Sequence, residues 1–186
     1  DSFYTVIPND IDWHKPYTHN RCRIRDYCDI TFIAVPTPVT SGKGFDYSAL
    51  YGAAALVGEG KIGIVKSTIM PGVMEGIQEL YPGSIFFHVP ERLTEANAVY
   101  GAAHPVCNTI GVPENKSSDA GHWAHAFAIY ERVRAVLPKT KSESLTYFCT
   151  ATEAALTKVL ANYNLISRVI TANVSYDVVK HFGACW

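Results

Sequence analysis

The chain holds 186 residues, with 16 lysines and arginines against 17 acids, a formal net charge of −1, and 48% hydrophobic residues. That is enough apolar material for one good core with a helical appendage, and too much for a disordered chain. The balanced charge leaves no basic excess for nucleic acid or an anionic bilayer, and the apolar runs fall far short of the roughly 20 residues of a membrane helix. Five cysteines (Cys22, Cys28, Cys107, Cys149, Cys185) are widely and irregularly spaced, with no CxxC pair, so the expectation is reduced thiols in a cytoplasmic protein without nucleic-acid or membrane partners.

Short β-branched and aromatic runs alternate with helical patterns, the signature of an α/β fold with a mostly parallel sheet covered by helices on both faces. In chain order, strands are expected over residues 3–7, 30–35, 62–66, 85–88, 108–112 and 145–148. Helices are expected over 47–57, with Asp46 as the N-cap, over 73–80, opened by Pro71-Gly72, and from Ser117 or Ser118 to Val136. The longest periodic segment starts at Thr150-Ala151-Thr152-Glu153, a capping-box pattern, and runs to about Phe182 before Gly183. Such a helix spans some 45 Å, more than a domain of this size needs internally.

Two strands empty into hydroxyl-bearing turns: Pro36-Thr37-Pro38, and Ser67-Thr68-Ile69-Met70-Pro71-Gly72. Ligands of open parallel sheets bind beyond the carboxyl ends of the strands, so these turns form a candidate rim, although threonines and serines also serve as plain caps. Glu91 and Glu95, if helical, share a face and could position water or relay a proton; the alternative is a pair of solvated charges. Lys158 and Asn162, one turn apart on the long helix, both donate hydrogen bonds and suit a developing oxyanion, while a lone helical lysine is ordinarily surface. His122 and His125 lack any supporting carboxylate or thiol pattern, so no metal is expected.

Taken in order, four motifs resemble the UDP-glucose/GDP-mannose dehydrogenase family: Val35-Pro36-Thr37-Pro38, Lys66-Ser67-Thr68-Ile69-Met70-Pro71-Gly72, Pro90-Glu91-Arg92-Leu93-Thr94-Glu95, and a helix carrying Glu153-Ala154, Leu156, Lys158 and Asn162. Gly44-Phe45-Asp46 fits the same pattern. The resemblance implies a Rossmann-like NAD-binding domain over 1–149, then a long helix over 150–186 for dimerisation or domain linkage. It implies an NAD-dependent oxidation of the C6 alcohol of a nucleotide sugar, through an aldehyde and a cysteine-bound thioester. On this resemblance Val35, Pro36, Thr37, Ser67 and Thr68 lie against NAD, with Thr68 also near the reacting water. Glu91 contacts the cofactor or assists proton transfer, Glu95 positions the hydrolytic water, and Lys158 and Asn162 hold the oxygen at the reacting carbon. Asp10 takes the adenosine ribose hydroxyls and Lys15 lies near the phosphates.

No GxGxxG occurs in the sequence, although the family places that turn after its first strand. The expectation is that this strand belongs to the natural polypeptide outside the given sequence, since its loss would leave unpaired backbone in mid-sheet. Cys185 follows the long helix too closely to match the family's nucleophile turn, and without a thiolate there is no route to a thioester. The resemblance thus implies an oxidoreductase, incomplete in this chain, that dimerises through its long helix. The alternatives are a non-catalytic nucleotide-sugar binding module and a simple alcohol-to-aldehyde oxidation without a covalent step.

Overall fold

A computed structural model describes residues 4–12, 14–93, 95–114, 120–140 and 145–185. The elements run α1 (Arg21–Tyr27), β1 (Ile30–Ile33), β2 (Val39–Thr40), β3 (Gly44–Phe45), α2 (Ser48–Ala54), β4 (Ile62–Val65), α3 (Val73–Leu80), β5 (Ile85–His88), α4 (Ala98–Ala103), β6 (Asn108–Val112), α5 (Ala120–Val136), β7 (Thr146–Thr150) and α6 (Ala151–His181). Five strands form one sheet in the order β1-β4-β5-β6-β7, and β2 and β3 pair as a small hairpin. β1, β4 and β5 are mutually parallel, β6 and β7 are parallel to each other, and β5 meets β6 antiparallel at the pair His88 and Gly111.

Alternation of side chains divides the core into two layers. Ile62, Ile64, Phe87, Val89, Ile110 and Val112 face α5, where Ala126, Ile129, Val133 and Leu137 cover them. Val65, Phe86 and Ile33 face the other way, against Leu50 and Ala54 of α2, Met74 and Ile77 of α3, and Ala151 and Ala155 of α6. With both faces covered, β4 and β6 are buried throughout, as parallel strands between helical layers should be. Each large side chain so buried contributes about 1.5–3 kcal/mol.

The structure departs from the expected elements in three places. Residues 4–10 form no strand, and Tyr4 and Val6 are exposed. β1 is an edge rather than a doubly covered strand: Phe32 is 47% exposed. Ile62 N–H donates to the Asp29 carbonyl and Lys66 N–H to that of Ile33, so the odd-numbered residues of β1 address β4 and those of Ile30 and Phe32 point away. The helix after Asp46 is shorter, Ser48–Ala54, with Tyr47 at the N-cap, while the Asp46 carboxylate accepts from Ser48 N–H at 2.9 Å. The expected start of α5 at Ser117 or Ser118 lies outside the described residues, as does Phe3 of the first expected strand.

α6 follows the sequence pattern closely. Thr150 Oγ1 accepts from Glu153 N–H at 3.1 Å, and Glu153 accepts from Thr150 N–H at 2.8 Å, a reciprocal cap of the first turn. Its entry crosses β6 so closely that a Cβ on Gly111 would stand 2.7 Å from Ala154 Cβ and 2.8 Å from Ala151 Cα. Only Ala151, Ala154 and Ala155 of this 31-residue helix are buried.

Candidate active site at the carboxyl ends of β1, β4 and β5

The parallel register of β1 and β4 sets their two following turns side by side. Ser67 clamps them: its hydroxyl accepts from Val35 N–H at 3.0 Å and donates to the Val35 carbonyl at 2.7 Å. One residue further, Thr37 Oγ1 donates to the Thr68 carbonyl at 2.8 Å. Thr37 and Thr68 are half-buried and Pro36 is exposed, so the rim is open to solvent along its outer side. Gly72 completes the second turn at φ 90°, a left-handed conformation that admits glycine readily, and caps α3.

Behind this rim, His88 at the end of β5 is fully buried, its Nε2 3.3 Å from the Ser67 carbonyl. Burial lowers its pKa to about 4, against the pull of the Ser67 and Ala151 backbone, so the ring is neutral at physiological pH. It ties β5 to the β4 turn, and its Nδ1 is buried without a hydrogen-bond partner.

Lys66 ends β4 and Glu91 follows β5; their side chains meet at 2.8 Å, both more than half-buried. Residues 90–93 are not helical, and Glu95 opens a separate 3-10 turn, Glu95–Asn97. The helix that would set Glu91 and Glu95 on one face is therefore not formed over residues 90–93, where the chain leaves β5. The Glu95 side chain lies outside the described ones. Two turns into α6, Lys158 is half-buried. Burial lowers its pKa, the neighbouring Arg92 adds to the effect, and Glu91 opposes it. Asn162 is likewise half-buried one turn on.

Asp10 and Lys15 stand apart in character. They pair with each other at the surface, and the second Asp10 oxygen accepts from Asp12 N–H at 3.0 Å. The lysine hydrogen bond holds the Asp10 carboxyl below the usual range. Both oxygens of the expected ribose acceptor are thus engaged within this segment.

Two contributors were not singled out from the sequence. Arg92 was read only as a motif position; its terminal nitrogen reaches Thr109 Oγ1 at 3.5 Å, and its Nε is buried without a hydrogen-bond partner. His88 sat unremarked at a strand end. Neither signal exists in single-sequence spacing, because each depends on how β5 is placed between β4, β6 and α6.

The thiols divide clearly. Cys149, near Arg92, is pushed up to about 11 by burial and by Glu153, so it is a thiol and not a thiolate at neutral pH. Cys185 is exposed beyond the end of α6, about 40 Å along the helix from Lys158. Among the described residues, no group of three or more His, Cys, Asp and Glu side chains is placed to hold a metal ion. An open depression of about 560 Å³ along one side of α6, lined by Asn164, Arg168 and Ser175 among others, shares no residue with the strand-end cluster.

The paired turns suit an extended dinucleotide. They offer a clamped backbone, two half-buried threonines and a mixed-charge group at one end, where open α/β sheets take their ligands.

Residues 17–134 match the sequence model of the UDP-glucose/GDP-mannose dehydrogenase family, NAD binding domain. A curated protein provisionally named UDP-glucose 6-dehydrogenase YtcA, from Bacillus subtilis (strain 168), is 37% identical over 98 residues, 47% of this chain and 23% of that protein. The structure resembles a GDP-mannose dehydrogenase from Pseudomonas aeruginosa (TM-score 0.65, 20% identity, 90% of this chain and 39% of that one). It also resembles a UDP-D-ManNAc dehydrogenase from Pyrococcus horikoshii (TM-score 0.69, 22% identity, 87% and 39%). A UDP-glucose dehydrogenase from Pyrobaculum islandicum is similar at 26% identity (TM-score 0.61, 84% and 36%). The chain spans about two fifths of the solved relatives and less than a quarter of the curated one. With the family model covering more than half of its residues, the chain belongs to the UDP-glucose/GDP-mannose dehydrogenase family, in the part that binds NAD.

Proposed function

We propose that this chain supplies the cofactor half of a cytoplasmic enzyme that oxidises the C6 alcohol of a nucleotide sugar, UDP-glucose or a relative, with NAD as hydride acceptor. Thr37, Thr68 and the backbone from Val35 to Pro36 would lie along the cofactor, Ser67 fixing the two turns from behind. Asp10 would turn to the ribose by exchanging its Lys15 partner for two hydroxyls, leaving Lys15 for the phosphates. Glu91 would move a proton, Glu95 would hold water, and Lys158 and Asn162 would hold the oxygen on the reacting carbon. NAD supplies the electron sink; the side chains bind, orient and transfer protons.

The observation that carries this reading is the meeting of Lys66 and Glu91 at 2.8 Å beside the clamped turns, with Lys158 brought within electrostatic reach of Glu91 from α6. A scaffold has no need to draw an acid and two lysines from three elements to one strand edge. The domain division follows: residues 1–149 bind the cofactor, and residues 150–186 carry the assembly helix. The open edge of β1 would accept a further strand, and exposed Leu160, Tyr163, Ile166, Ile170 and Val174 on α6 would meet a second copy.

The second reading, a binding module without turnover, is favoured by the thiols: Cys149 is held protonated and Cys185 lies at the far helix end. Calorimetric titration with NAD and UDP-glucose, followed by NADH absorbance, separates the two. NAD binding with NADH formation supports the enzyme; binding of both without NADH supports the module; binding of neither defeats both.

A further inference from the structure

The ladder between β4 and β5 runs out of backbone donors at one point. Val89 N–H donates to the Val65 carbonyl at 2.8 Å, and in a parallel pair the next β4 carbonyl facing β5 is that of Ser67, two residues on. The amide that would meet it belongs to Glu91, where the chain has already left the sheet. The His88 ring stands in its place, with Nε2 3.3 Å from the Ser67 carbonyl. A carbonyl only accepts, so Nε2 carries the proton of the neutral ring, and the buried Nδ1 without a hydrogen-bond partner is the bare nitrogen. His88 is fully buried in a position that an apolar side chain would fill at lower desolvation cost. What the imidazole adds is one N–H. On the other side of β4, Lys66 N–H donates to the Ile33 carbonyl at 2.8 Å, and the same ladder would bring Thr68 N–H to the Val35 carbonyl. That carbonyl accepts from Ser67 Oγ at 2.7 Å instead. Among the described residues, Thr68 N–H has no hydrogen-bond acceptor.

We propose that His88 is a positioning residue of the cofactor turn: by donating from Nε2 to the Ser67 carbonyl it fixes the Ser67–Thr68 peptide and presents the Thr68 amide, on the opposite side, to an acceptor oxygen of the dinucleotide. The inference rests on the proposed function for the ligand, since the turn is there laid along NAD. No cis peptide bond occurs among the described residues, so the Ser67 carbonyl and Thr68 N–H point in opposite directions from one rigid plane. Holding the first holds the second. The next carbonyl, that of Thr68, is fixed by Thr37 Oγ1 at 2.8 Å. The amide therefore meets its ligand already ordered, which removes that ordering from the cost of binding. Being fully buried, His88 acts through Ser67 and not by touching the ligand.

The whole chain, labelled with 15N and 13C, is titrated with NAD by calorimetry and followed by NMR as wild type, His88→Leu and His88→Gln, at a temperature where circular dichroism shows all three folded. Leucine keeps the apolar bulk and removes the N–H, whereas glutamine carries an amide nitrogen that reaches the Nε2 position. His88→Leu should weaken NAD binding by about tenfold and displace the Thr68 amide signal, and His88→Gln should restore both. In the wild type the ring should be the Nε2–H tautomer, coupled across the hydrogen bond to the Ser67 carbonyl carbon. The Nδ1–H tautomer overturns the proposal. So does wild-type affinity in His88→Leu, and so does an equal loss in both variants, which is packing alone. If His88→Leu does not fold, His88→Met fills the site with an adaptable, unbranched chain and is read in the same way. If the wild type binds no NAD, the proposed function fails and the Thr68 amide decides the inference: displaced in His88→Leu and restored in His88→Gln, it upholds the hold on the turn; unmoved, it overturns it.

Discussion

Ser67 and Val35 make a two-way hydrogen bond across neighbouring strand ends, the hydroxyl accepting from the Val35 amide and donating to its carbonyl. Ser67→Ala leaves both Val35 groups without that partner beside a buried position. We expect a loss of about 1–3 kcal/mol in stability and weaker NAD binding, because the two turns no longer hold their relative position. Urea denaturation and calorimetry check the two effects separately; a variant as stable as the wild type removes the clamp from the account.

Lys66 and Glu91 are more than half-buried, so replacing one member strands the other. Glu91→Gln should destabilise the fold by about 1–3 kcal/mol. It also removes an acid that opposes the depression of Lys158, so the Lys158 ammonium should titrate at lower pH than in the wild type. Carbon-detected NMR of the lysine ε position follows this directly.

His88 gives a pH dependence of definite sign. Its folded pKa of about 4 lies below the ordinary 6.5, so between these values the unfolded chain binds the extra proton and stability rises with pH. The stabilisation is complete above the unfolded value and disappears as pH falls through about 4, a span of about 3 kcal/mol. Thermal melts from pH 7 to pH 4 should lose stability over that range, and His88→Gln should flatten the slope. The same slope in the variant would point to other groups.

Gly111 lies under the entry of α6, with space already taken by Ala154, Ala151 and the Thr150 carbonyl, the last 3.0 Å from where a Cβ would stand. Gly111→Ala must push back the helix backbone as well as a methyl group, and we expect a cost of about 1–3 kcal/mol. NADH formation, if present in the wild type, should fall further than stability alone explains, since Lys158 moves with the helix.

Along α6, Ile170 is 56% exposed and Leu160 54%. A double change to glutamate should turn a dimer into a monomer in multi-angle light scattering while leaving the far-UV spectrum unaltered. A wild-type monomer at micromolar concentration would rule out the assembly role.

The sequence disclosed those parts whose physics is local. The Thr150 and Glu153 cap, the Gly72 entry to α3 and the continuous apolar runs of β4 and β6 are written in neighbouring residues. The failures are long-range. Residues 4–7 carry strand-forming side chains but have no strand beside them, and propensity without a paired edge does not make a ladder. Glu91 and Glu95 have helical spacing, yet the chain leaving β5 is not helical over residues 90–93. Within the candidate site, Thr37, Thr68 and Lys158 were singled out through the motifs that carry them. Arg92 and His88 were not, since their importance comes from a missing partner and a buried ring, both properties of packing.

The contact of Gly111 with Ala151 and Ala154 makes the base of α6 a fulcrum. Inward of Asn162 the helix carries Lys158; beyond it, some 30 Å of helix with many exposed apolar side chains stands clear of the sheet. The base packs against β5, β6, β7 and α3, so a partner that gripped the outer shaft would also shift the position of the Lys158 ammonium.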